Sequence, residues 1–328
     1  KPNLLMAIEP EKGVTTHPEV VRASVNSLKE INAEIIIGDG PSVWGGQVDN
    51  IEDVFEKTGM KAVADEFKVK LVNFDNPRWR NKFPLTKYLD ETDCFISVAK
   101  FKTHNLTILT GAIKNLFGLV SGTYKTELHK NYFNVEDFSK ILVEIYKEAP
   151  PVFTIIDAVV AMEADGPGTS GRLKDVGLIL ASRDAVALDS VLSVIMGISP
   201  EDIPTTREAA RQNLGIMDLN SIEILGEGLA NIRIKPFILP TTSVKTKIPQ
   251  PVINIVKNFI KFYPKLNKRA CNLCGACIKA CPEDAITIKF EAIEIDYAKC
   301  ISCFCCQEVC PNSAIETKKS VLAKLIGL

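Results

Sequence analysis

Nine of the ten cysteines fall between Cys271 and Cys310, and their types and spacing carry the plainest chemistry of the chain. Four read Cys271-x2-Cys274-x2-Cys277-x3-Cys281-Pro282, and the order returns as Cys300-x2-Cys303-x2-Cys306-x3-Cys310-Pro311. A [4Fe–4S] cube takes one soft thiolate per iron, and a tight loop with cysteines at every third residue turns three sulfurs toward one centre. The fourth ligand has to come from another part of the chain. Structural zinc takes four thiolates in two separated pairs, which is not this spacing. A disulfide framework is equally disfavoured, because ten cysteines in 328 residues are too sparse for a stapled mini-domain.

The repeat runs past the ligands, with Pro282-Glu283-Asp284-Ala285-Ile286 answered by Pro311-Asn312-Ser313-Ala314-Ile315. The stretch resembles the bacterial-type ferredoxin domain with two [4Fe–4S] clusters, over about the last 60 residues. In that arrangement the last cysteine of each run crosses to the other cluster. The expected ligand sets are Cys271, Cys274, Cys277 and Cys310 for one cube, and Cys300, Cys303, Cys306 and Cys281 for the other. Cys305 is left over as a non-ligand thiol beside the second cube.

A second constellation lies upstream. The apolar run Cys94–Ala99 reads as a buried strand with Cys94 in the core, and it leads directly into Lys100-Phe101-Lys102-Thr103-His104. If the chain stays extended, Lys100, Lys102 and His104 alternate onto one side just beyond the strand. Thr110-Gly111-Ala112-Ile113-Lys114-Asn115-Leu116-Phe117-Gly118 follows, with a short helix expected from Thr110 to Phe117. Lys100, Lys114, Asn115, Thr110 and the backbone at Gly111 would then bind an anionic group, with Lys102 and His104 as catalytic candidates. Asp39, in the loop Gly38-Asp39-Gly40-Pro41 ahead of Trp44-Gly45-Gly46, and Asp157 and Glu163, at the end of a later strand, complete the expected site. Asp165 is read as a residue that shapes the turn after that strand.

The elements that must position these groups read as strand Leu4–Ile8, a helix capped by Thr16 with Pro18 in its first turn, strand Glu34–Gly38, a helix over 51–66 and strand Lys68–Asn73. A helix Asn134–Lys147, strands Val152–Val160 and Val176–Ala181, a helix begun by Asp184 and a last strand Ser221–Leu225 follow. Asp189, among apolar residues, is expected to be buried with a partner. This is the grammar of an α/β fold with a mostly parallel sheet flanked by helices, followed by a small α+β two-cluster unit. The expected domains are 1–231, a Pro-rich linker 232–266 and the cluster unit 267–328. Val252, Ile255, Val256, Phe259, Ile260 and Tyr263 give the linker a helical apolar face for docking, and Val321, Leu322, Leu325 and Ile326 give a second small amphipathic segment.

Lys1-Pro2-Asn3, Thr15-Thr16-His17-Pro18, Gly38-Asp39-Gly40-Pro41, Lys100-x-Lys102-x-His104 and Thr110-Gly111-x-x-Lys114-Asn115-x-Phe117-Gly118 together resemble the domain-of-unknown-function-362 family. The form Cys300-Ile-x-Cys303-Phe-Cys305-Cys306-x-Glu308-Val-Cys310-Pro311 is also similar to the ferredoxin tails of that family. The resemblance implies the two-domain plan but no particular reaction.

The 39 basic and 40 acidic side chains nearly cancel, which gives no ground for a nucleic-acid partner, and no apolar run approaches the ~20 residues that span a bilayer. Reduced thiols lead to an expected cytoplasmic setting. The chain opens at Lys1 almost directly into an apolar run, so native residues are expected to precede it. No P-loop, nucleophile elbow or H-E-x-x-H is present, and the loop that begins Gly38-Asp39-Gly40 does not match G-x-G-x-x-G. The expected function is electron transfer through two [4Fe–4S] clusters to an anionic substrate or cofactor in the α/β domain, an oxidoreductase fed by a redox partner protein or low-potential donor. His104 is the expected proton donor, because an imidazole titrates near neutrality. The alternatives are a non-catalytic electron carrier whose α/β domain recognises a partner enzyme, and a non-redox enzyme with structural clusters.

Overall fold

The computed structural model describes residues 1–41, 50–243, 261–320 and 323. Helix α1 (Pro18–Glu30) packs Val21 and Val25 against strand β1 (Ile36–Asp39). Its cap is His17, whose Nδ1 accepts from Glu19 N, with Pro18 in the first turn. Thr16, the expected cap, donates instead to Val98 O and accepts from Asn3 N. The helix expected over 51–66 is two, α2 (Ile51–Lys57) and α3 (Met60–Phe67), because Gly59 at φ 76° breaks the ladder. Strand β2 (Lys70–Asn73) pairs parallel to β1, and β3 (Pro77–Arg80) and β4 (Phe83–Thr86) form a hairpin ahead of a single turn, α4 (Tyr88–Glu91).

The core sheet follows, with β5 (Ile96–His104), β6 (Ile108–Thr110), β7 (Phe153–Ala164) and β8 (Gly171–Ser182) in the order β6-β5-β7-β8. Only β5 and β7 run parallel, and both outer pairings are antiparallel. The sheet is therefore mixed, and the expectation of a mostly parallel sheet is corrected. Short connections at both edges fold the chain straight back on itself, where a parallel neighbour would need a longer crossover.

Between β6 and β7 lie α5 (Ala112–Asn115), α6 (Tyr124–Asn131) and α7 (Val135–Glu148); Asn134 caps the last of these through Asp137 N. Helix α8 (Ala185–Met196) is apolar nearly all round and is buried accordingly, with Asp184 capping it through Val186 N and Ala187 N. Helix α9 (Pro204–Arg211) packs on α7.

Three further readings are corrected. Leu4–Ile8 forms no strand, because Leu4 N donates to the Asp39 carboxylate and only Pro2 bridges to Val98. Cys94 is exposed ahead of β5, so it is not a core residue. Residues 222–225 form no strand and follow a single 3-10 turn, Leu219–Ser221.

Residues 232–243 run back across the sheet, where Phe237 is buried against Phe101 at a ring distance of 4.9 Å. The expected docking face at 252–260 and the amphipathic segment at 321–326 lie, apart from Ala323, outside the described residues. Tyr263 belongs to strand β9 (Phe262–Leu266), which pairs with the last strand, β12 (Ile315–Lys319). The cluster fold thus begins about five residues ahead of the expected boundary. Between these strands lie the turn α10 (Ala276–Lys279), the hairpin β10 (Ile286–Lys289) and β11 (Ala292–Ile295), and the turn α11 (Cys305–Glu308).

Candidate functional site

The two cysteine runs fold alike. Leu273 and Ser302, Gly275 and Phe304, and Asp284 and Ser313 are related by the repeat, and all six take positive φ. The sulfurs of Cys281 and Cys310 each accept from the backbone N–H four residues on, at Ala285 and Ala314. Such turns bend the backbone around the sulfurs and direct amides at them. A small cavity is lined by Cys271, Cys274, Cys277 and Cys310, so the last cysteine of the second run faces the first three of the other. Burial, and then the charges of Cys310, Cys274 and Cys271, push the Cys277 thiol up to about 11. Burial, and then the charges of Cys303, Cys300, Cys277 and Cys281, raise Cys306. Thiols crowded in this way repel one another when ionised, a cost that bound iron offsets. The set Cys271, Cys274, Cys277 and Cys310, which shares one cavity, fits a cube.

The α/β domain brings a set of buried cations to the face that meets α11. Their anchor is the Lys100–Asp157 ion pair, 2.8 Å long with both side chains almost wholly buried. Asp157 also accepts from His17 N, which ties β7 to the start of α1. Next along β5, Lys102 donates to Val14 O at 2.5 Å, and burial, then the charge of Lys114, push it down to about 7. His104 accepts two backbone N–H groups at Nδ1, from Leu106 and Thr107. Its Nε2 therefore holds the proton of the neutral ring and lies 3.1 Å from Glu308 Oε1, off the line of a good hydrogen bond.

Burial pushes His104 down to about 4. It also disfavours the Glu308 carboxylate, but the charges of His104 and Lys114 outweigh this and hold Glu308 down to about 2. On raising the pH, Glu308 therefore ionises before His104 loses its proton, and the neutral-pH state is a carboxylate against a neutral ring. His104 orients Glu308 in this geometry. Its placement does not favour the proton-donor role expected from an unperturbed imidazole.

A cavity of about 60 Å³ opens between the domains, lined among others by Lys102, Thr110, Lys114, Lys125, His129 and Glu308. Lys125 and His129 come from α6 and were not anticipated, since a polar eight-residue helix gives no signal of burial. Lys125 donates to Gly40 O, and His129 packs edge-on against Phe117 and at a tilt against Phe138. Asp39 pairs with Lys1 at 2.8 Å, and Asn115 accepts from Lys1 and Asn3 and donates to Ser97.

Gly111 is explained by Asp189, because a Cβ there would sit 2.1 Å from Asp189 Oδ1. Asp189 accepts from Ala112 N and Ile113 N, so the start of α5 is already capped by the protein itself. Glu163 stands apart from the cavity. It pairs with Lys174 and accepts from Ile238 N, while Asp165 accepts from Thr241, so both fasten residues 238–241.

The cluster domain is clamped onto this site by loop 165–170. Thr169 donates to Cys310 O at 2.6 Å and accepts from Ser313 N, and Ser313 donates back to Thr169 O at 2.7 Å. Gly168 approaches so closely that a Cβ would lie 2.5 Å from Glu308 O. Asn105 donates to Gln307, and Lys130 pairs with Glu283 at 3.4 Å.

A family model described as a domain of unknown function, DUF362, matches residues 1–193. The chain belongs to that family. A model described as a 4Fe-4S dicluster domain matches residues 263–311, which covers β9 from Tyr263 onward and all eight expected ligands. The family member is thus an iron–sulfur protein with an electron-transfer role. The thylakoid-associated protein sll1697 of Synechocystis sp. is 32% identical over 223 residues, covering 66% of this chain and 67% of that protein. No solved structure matches. Among the described residues no helix is long and apolar enough to cross a membrane.

One consequence concerns pH. His104 and His129 titrate near 6.5 in an unfolded chain, but burial lowers them to about 4 and about 3 in the fold. The unfolded state then binds more protons below pH 6.5, so stability is full above that value and is lost as pH falls toward 4 and 3. Each group contributes about 2 kcal/mol of loss between pH 6.5 and 5, at ~1.4 kcal/mol per pH unit. Urea midpoints followed by circular dichroism from pH 7 to 5 are expected to fall, and to fall less steeply in His129→Phe. Equal slopes in the two proteins would refute this account.

Proposed function

We propose that this chain is an oxidoreductase in which an anionic substrate or cofactor, held between the domains, exchanges electrons with the cluster domain. The observation that carries this reading is the position of Glu308. It lies two residues from Cys306 and from Cys310, and its side chain forms a wall of the basic cavity, so a ligand there would lie one short turn of helix from the sulfurs. The clusters, when bound, would supply single low-potential electrons that no side chain can. Lys114 and Thr110 hold the anion in this reading. Lys102, lowered to about 7, is the group best poised to exchange a proton near neutrality. Lys100 and Asp157 keep β5 in place beneath it.

The lining groups are interior, with Lys102 1% and Glu308 4% exposed, which favours a small molecule over the surface of a partner enzyme. A redox partner protein or low-potential donor would meet the chain at Cys274, the exposed ligand, in the expected cytoplasmic setting. The test is anaerobic purification of the full chain and of Lys114→Ala, followed by denaturation and mass spectrometry of what is released. An anion is expected from the first and at least a tenfold smaller amount from the second, with equal iron and sulfide. Equal recovery from both proteins, or none from either, would count against the reading.

A further inference from the structure

Most polar groups around the cavity are satisfied within the protein. Lys102 bonds Val14 O, Lys125 bonds Gly40 O and Lys1 pairs with Asp39. Among the described residues four lining groups keep unmet capacity. Lys114 is half-buried and makes no hydrogen bond or ion pair, only a cation–π contact 5.6 Å from the Phe117 ring. Thr110 Oγ1 is buried with no hydrogen-bond partner, Glu308 Oε1 is buried with only the poorly aligned His104 Nε2–H 3.1 Å away, and Asn3 Oδ1, which also lines the cavity, is unmet as well.

Asn3 is the weakest of the four, since its amide donates to Asn115 and its carbonyl alone is free. The others set a pattern of one cation, one hydroxyl and one carboxylate oxygen. A plain anion would satisfy Lys114 and Thr110 but leave the carboxylate oxygen buried, without a well-aligned donor and near a like charge. Native proteins rarely leave buried acceptors unmet, because each forfeits the hydrogen bonds it made with water. A ligand that also carries an O–H or N–H meets all three.

Size narrows the class. A cavity of about 60 Å³ holds about four to six water-sized atoms at ~10–15 Å³ each. Resting on the oxidoreductase reading of this cavity, we infer that its ligand is a small carboxylate bearing its own hydrogen-bond donor, of the short hydroxy-acid kind, with the carboxylate on Lys114 and Thr110 and the donor on Glu308.

Three probes of nearly equal size separate the contributions: glycolate has both groups, acetate lacks the hydroxyl, and glycolamide lacks the charge. Calorimetric titration of the cluster-loaded full chain under anaerobic conditions is expected to show glycolate binding at least tenfold tighter than acetate, with no heat from glycolamide. A site built around a hydrogen bond rejects the analogue that cannot make it. Lys114→Ala, with unchanged iron, is expected to abolish glycolate binding. If acetate and glycolate bind equally and both need Lys114, the anion site stands and the donor requirement is wrong. If neither anion binds, the oxidoreductase reading of the cavity fails with it. Glycolate binding that survives Lys114→Ala would place the ligand elsewhere and overturn the inference.

Discussion

Cys310→Ala is expected to cost the chain one whole cube and to leave the other, so that iron falls from about eight to about four per chain. The cube lost is the one held by Cys271, Cys274 and Cys277, because that cavity is where Cys310 points. A single variant cannot show the crossing, but a double variant can. Cys274→Ala with Cys310→Ala strikes one cube twice under crossed ligation, and about four iron remain. If each run completed its own cube, the same pair would strike both and nearly all the iron would go. Iron and sulfide assays on anaerobically reconstituted full chain, with the low-temperature spectrum of the reduced protein, distinguish the two outcomes.

Asp157→Ala is expected to destabilise the α/β domain by about 3–5 kcal/mol, the usual cost of leaving one partner of a buried pair uncompensated. Lys100 and Asp157 are both almost wholly buried, and their bond spans the only parallel pairing of the core sheet. Removing the carboxylate leaves the ammonium without its counter-charge and deprives His17 N of its acceptor. Replacing both residues by apolar ones, as in Lys100→Met with Asp157→Leu, is expected to recover much of the loss, since no buried charge remains. Urea unfolding of the cluster-loaded protein measures both variants. A loss below about 1 kcal/mol in Asp157→Ala would mean that water reaches the pair.

What could be read in the sequence was whatever depends on spacing alone. The cysteine periodicity prescribes three ligands per loop, and the Lys100-x-Lys102-x-His104 alternation sets three potential cations along one strand. What could not be read was where each cation finds its partner. Val14 O, Asp157 and Glu308 lie 88, 57 and 204 residues from Lys102, Lys100 and His104, and no local pattern joins them. The same limit explains the sheet. Apolar runs announce strands, but parallel or antiparallel pairing depends on how the connections fold, and β8 returns directly beside β7. Leu4–Ile8 is apolar without being a strand, since the Leu4 N–H is committed to the Asp39 carboxylate, 35 residues away. Asp189 was legible as a buried acid, and its partners, two amides of α5, became visible only in the fold.

The duplicated cysteine loops also bear on how charge can move through the molecule. By sequence the two halves are near copies, but they are not equivalent in place. Glu308 and Ser313 face the α/β domain, whereas their counterparts one repeat earlier are Lys279 and Asp284, both on the surface. The near-symmetry of the pair of loops is thereby broken, with Cys303 and Glu308 buried and their counterparts, Cys274 and Lys279, open to water. A conductor with unlike ends has a polarity built into its shape: one loop meets the interior of the protein at Glu308, and the other meets water at Cys274.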